Sequence, residues 1–166
     1  MMTYELTPET LHAEKKYLYV ILGFGILSFI TLTYQTYLFY VEGYCGCTAN
    51  QTFDLYSAVW GIPISLIGMV GFGVSIVLAV FFLTVKDTFP FYDKLYQIFL
   101  VWVFFQMIAI LFVLNMMYIA YIVAKGFCEL CSVAQVSTFI IFIVLLRLLN
   151  KFRYYFYFNE VESNQE

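Results

Sequence analysis

Charge is scarce in this sequence. Asp, Glu, Lys and Arg make up only 11% of its 166 residues, and the formal net charge is −3. A slightly acidic balance gives no electrostatic footing for a nucleic-acid partner. Histidine occurs once, at His12, so no histidine accompanies the cysteines as a metal ligand. Cysteine occurs four times, at Cys45, Cys47, Cys128 and Cys131. No internal repeat is evident, and the connecting segments are too short to host a second domain. The acidic residues gather partly at the two ends, as Glu5, Glu9 and Glu14 and as Glu160, Glu162 and Glu166. Such ends read as solvated tails.

What is abundant is apolar surface. Hydrophobic residues make up 63% of the chain, against roughly 45–50% in an ordinary soluble domain. Four apolar runs, at about 17–40, 61–85, 95–122 and 127–149, are each as long as a bilayer-spanning helix requires, roughly 20 residues. Lone polar residues within them, Gln35, Gln106 and Asn115, do not interrupt them. The first run follows a polar segment, is long, and has no A-x-A site after it, so it is expected to remain as a span rather than be cleaved. The expected fold is an all-α membrane protein, a four-transmembrane-helix bundle with an outer loop between helices one and two. The transmembrane domain covers 17–149, and 1–16 and 150–166 are cytoplasmic tails.

The basic residues orient these spans. Lys15, Lys16, Lys86, Lys94, Arg147, Lys151 and Arg153 fall on one side of a four-span chain, and only Lys125 on the other. The positive-inside bias then puts both termini in the cytoplasm and the cysteines on the extracytoplasmic side of the cell membrane. Within helix two, Gly71, Ser75 and Ala79 recur at four-residue spacing, with Gly61 and Ser65 similarly spaced above. Small residues so placed read as a stripe for close helix packing.

All four cysteines are thus expected on one face of the membrane. Cys128-Glu129-Leu130-Cys131 opens helix four. Unpaired backbone N–H groups and the helix dipole at that end favour a thiolate, the nucleophile of disulfide exchange. Cys128, Cys131 and Gln135 share a helix face, which sets an amide one turn below the second sulfur. An apolar, carbonyl-bearing oxidant dissolved in lipid, such as a quinone, suits that arrangement. A static disulfide and a four-sulfur site for a soft metal also fit the residues. Cys45-Gly46-Cys47, in the long outer loop, would close a strained and readily reduced ring if bridged.

These features together resemble a known family. The loop cysteine pair, the segment Tyr56-Ser57-Ala58-Val59-Trp60-Gly61-Ile62-Pro63-Ile64-Ser65 and the segment Phe127-Cys128-Glu129-Leu130-Cys131 are similar to the bacterial branch of the vitamin K epoxide reductase family. The resemblance runs from about Tyr17 to Leu149. It implies a thiol:quinone oxidoreductase that takes ubiquinone or menaquinone as substrate. By the same resemblance Cys131 attacks the quinone and Cys128 resolves the adduct. Cys45 or Cys47 then passes oxidising equivalents to a thioredoxin-like partner, which makes disulfides in exported proteins. Gln135, Asn115 and Ser65 are the candidate quinone contacts. The chain differs from the family pattern in three respects. One residue separates its loop cysteines, Asp54 stands where a serine is usual, and Gln135 stands where many members have tyrosine. No thioredoxin-like segment is present, so a separate partner is expected. The alternative function is a mercury-type transporter or binder of a soft metal.

Overall fold

A computed structural model of the chain describes residues 8–42, 58–59, 62–84, 92–123 and 129–163. Four long helices dominate it: α1 (Pro8–Glu42), α2 (Ile64–Thr84), α3 (Tyr92–Tyr118) and α4 (Glu129–Ser163). Each contains a stretch long and apolar enough to cross a bilayer, at Lys15–Val41, Ile64–Thr84, Tyr96–Ile122 and Glu129–Lys151. The protein is a multi-pass membrane protein built as a four-helix bundle. The flanks of α1 and α4, expected only as solvated tails, continue the helices beyond the spans as far as Pro8 and Ser163.

Several hydroxyls inside the spans are satisfied within their own helix, because lipid offers them no partner. The hydroxyls of Thr31, Thr36, Ser137 and Thr138 each donate to the carbonyl four residues earlier, at 2.8–2.9 Å. Outward-facing residues are large and apolar; Val77, Val101 and Leu111 are each 67% exposed. In water such a surface would aggregate, whereas in a bilayer it meets acyl chains.

Before α2 lies a short antiparallel pair, β1 (Ala58–Val59) and β2 (Ile62–Pro63), with Ala58 opposite Pro63 and Val59 opposite Ile62. The segment Gly61-Ile62-Pro63, expected to open helix two, therefore gives Ile62 and Pro63 to a strand, and the helix starts at Ile64. The residue before a proline is biased toward extended backbone. Proline itself, with no N–H to leave unpaired, suits a helix entrance.

α1 is the hub. It packs most extensively along α2 and next along α4, and α4 also packs on α3. Lys151 lies 5.5 Å from the ring centre of Tyr17, which places the start of the α1 span beside the end of the α4 span. Near that end the core is dense with aromatics. Phe82 of α2 stacks on Trp102 of α3 at 5.9 Å and meets Phe99 edge-on at 5.7 Å. Elsewhere the backbones of α2 and α3 come close at few positions. The space between them toward the Cys131 end is not filled by side chains.

Close approach of α1 and α2 is set by glycines. A Cβ at Gly68 would lie 2.9 Å from Leu32 Cδ1, and one at Gly25 would lie 3.1 Å from Ile76 Cγ1. The stripe read from the sequence behaves differently. Ala79 is fully buried in the core, but Gly71 and Ser75 line the gap between α2 and α3.

Candidate functional site

That gap is a cavity of about 320 Å³ to which all four helices contribute. Its wall is mostly apolar, with Leu32, Phe72, Phe105 and Phe112 among the larger side chains. Its polar lining includes Gln35 of α1, Ser65 and Ser75 of α2, Gln106 of α3, and Cys131, Ser132, Gln135 and Thr138 of α4. A volume of this size lies at the lower end of the range for small-molecule pockets, roughly 300–1,000 Å³.

Cys131 is the third residue of α4. It therefore sits in the first helical turn, where backbone N–H groups have no intrahelical acceptor. The sulfur is half-buried and accepts a hydrogen bond from Gln35 Nε2 at 3.1 Å. Gln135 lies one turn further along α4 and Thr138 about 10 Å below Cys131, at 1.5 Å per residue. The cavity thus extends along α4 away from the sulfur.

The opposite walls are held by polar contacts between helices. Thr36 and Ser65 share a hydrogen bond with their hydroxyl oxygens 2.9 Å apart, joining α1 to α2. Gln106 Nε2 donates to the Thr138 carbonyl at 3.4 Å, joining α3 to α4. α3 ends in a wide π-helical turn, Ile119–Val123, whose Ile119, Ala120 and Tyr121 line the cavity mouth. Turns of this type recur at functional sites because they re-aim side chains.

Of the residues proposed from sequence, Cys131, Gln135 and Ser65 share this cavity. Asn115 does not line it; its side chain is exposed on the flank of α3. Cys45, Cys47 and Cys128 lie outside the described residues. Gln35, which in the sequence is only a lone polar residue in an apolar run, joins the cavity residues. A carboxamide at bilayer depth is itself a signal, since it is retained there only with a partner.

A family model now bears on the site. It describes the vitamin K epoxide reductase family, and it matches residues 16–146. The chain belongs to the vitamin K epoxide reductase family. The matched region takes in all four spans almost entirely, together with all four cysteines. Family members are membrane oxidoreductases that act through thiols and disulfides and work with quinones. No curated protein sequence matches the chain.

Proposed function

We propose that this member of the family oxidises thiols at the expense of a membrane quinone, ubiquinone or menaquinone. The observation that carries the proposal is the placement of the Cys131 sulfur in the wall of a cavity that is apolar along most of its length. A lipid-soluble ring fits such a cavity, and a carboxamide one turn below the sulfur, Gln135, is placed to donate to a quinone oxygen. Ser65, across the cavity on α2, adds a second polar group to the wall.

In the proposed cycle the Cys131 thiolate adds to the quinone ring. The Cys128 thiolate then attacks Cys131 Sγ and releases the quinol. Two electrons and two protons pass to the quinone, and a Cys128–Cys131 disulfide remains. That disulfide is re-reduced by the loop pair Cys45 and Cys47, which in turn takes electrons from a thioredoxin-like partner. The role of Cys131 follows from its place in the wall of the apolar cavity, which a lipid-dissolved oxidant can enter, and Cys128 takes the resolving role. The cysteines face outward and both termini face the cytoplasm, a reading supported by the basic residues. The family offers no support for the soft-metal transporter.

The test is spectroscopic. In Cys128→Ser, Cys131 has no resolving partner, so a thiolate–quinone charge-transfer band accumulates on adding quinone. In Cys131→Ser the band and quinone reduction are both lost. A band in the second variant and not the first reverses the two roles. Quinone reduction that survives loss of both cysteines ends the proposal.

A further inference from the structure

We propose that Gln35 is a positioning residue for Cys131: its side-chain amide holds the sulfur in the cavity wall and stabilises it as the reacting thiolate. The inference rests on the thiol–quinone reading above. Gln35 belongs to α1 and Cys131 to α4, 96 residues apart, yet Nε2 donates to Sγ at 3.1 Å. The glutamine is only 5% exposed. Burying a carboxamide in an apolar segment costs free energy unless its donors are used. Here a donor is used on the sulfur.

The position of the amide is fixed from both sides along α1. One residue on, Thr36 shares its hydrogen bond with Ser65 of α2. Three residues back, Leu32 packs against Gly68 of α2, where a Cβ would stand 2.9 Å from Leu32 Cδ1. α1 is thereby clamped to α2 around Gln35, while Gln35 itself reaches across to α4. Three helices set one N···S distance.

The bond discriminates between states of the sulfur. An amide N–H bonds far more strongly to an ionised acceptor than to a neutral one. It therefore favours the thiolate over the thiol or the disulfide, and the thiolate is the form that attacks. Gln135 lies on α4 itself, one turn below Cys131 along the same cavity. The two carboxamides divide the work, Gln35 serving the sulfur and Gln135 the oxidant.

The experiment uses the full chain carrying Cys45→Ser, Cys47→Ser and Cys128→Ser, which leaves Cys131 as its one thiol. Gln35→Met, close in size but without a donor, is compared with Gln35 in that background. Alkylation of Cys131 by N-ethylmaleimide is expected to slow by about tenfold or more, as befits loss of a hydrogen bond to a charged group. The charge-transfer band with added menaquinone should weaken in parallel and shift in wavelength, a readout that a merely structural role leaves unmoved. An unchanged alkylation rate overturns the proposal. No band even with Gln35 intact sinks the quinone reading instead, and the alkylation rate still decides the role of Gln35. Where Gln35→Met does not accumulate, Gln35→Cys in the same background is oxidised. A crosslink to Cys131 supports the juxtaposition, and its absence overturns it.

Discussion

An alanine at position 68 would bring its Cβ to 2.9 Å from Leu32 Cδ1, with Leu32 Cδ2 at 3.9 Å. Carbon atoms prefer roughly 3.5–4.0 Å, so one partner has to move. The closest atom is the end of a flexible side chain, and Leu32 lines the cavity. Its easiest escape is rotation into that space. Overpacking typically costs about 1–3 kcal/mol, against which replacing a helical glycine by alanine gains up to about 1 kcal/mol. The net loss of stability in Gly68→Ala is therefore about 0–3 kcal/mol. A functional loss should accompany it, because the displaced Leu32 takes room from the proposed quinone site and crowds Gln35 three residues on. A rise in quinone KM of roughly tenfold is expected, equivalent to about 1.4 kcal/mol. Gly23→Ala is the control, since nothing lies within 4 Å of a Cβ there. Thermal unfolding in detergent and steady-state quinone reduction measure the two effects. An unfolding cost above about 3 kcal/mol would mean that α1 and α2 separate instead. A KM equal to that of Gly23→Ala would refute the reasoning outright.

Two further outcomes are expected. Ile141 is fully buried in the core and does not line the cavity, so Ile141→Ala should cost about 2–5 kcal/mol of stability and leave the quinone KM unchanged; unfolding scans and the same KM measurement check both halves. A membrane-impermeant thiol reagent applied to intact cells after reduction should label single-cysteine variants that keep Cys45 or Cys47. Labelling only after the membrane is breached would reverse the proposed orientation.

The number of spans was legible in the sequence because crossing a bilayer is a local requirement. About 20 apolar residues must occur in a row, and they do so four times. The family was legible in the same way, through cysteines and a Gly-Ile-Pro segment at short spacing. Which face of each helix turns inward was not legible. In a soluble protein the apolar stripe marks the buried face, but a membrane helix is apolar all round, and periodicity loses its meaning. Gln135 could be placed beside Cys131 by its spacing on the same helix, but nothing local placed Asn115, and only the rotation of α3 sets it on the exposed flank. Gly71 and Ser75 looked like packing residues, and only the sparse contact between α2 and α3 makes them cavity wall. Gln35 looked incidental. Its bond to Cys131 spans 96 residues of sequence, a distance over which no local spacing carries information and which only the packing of α1 against α4 can close.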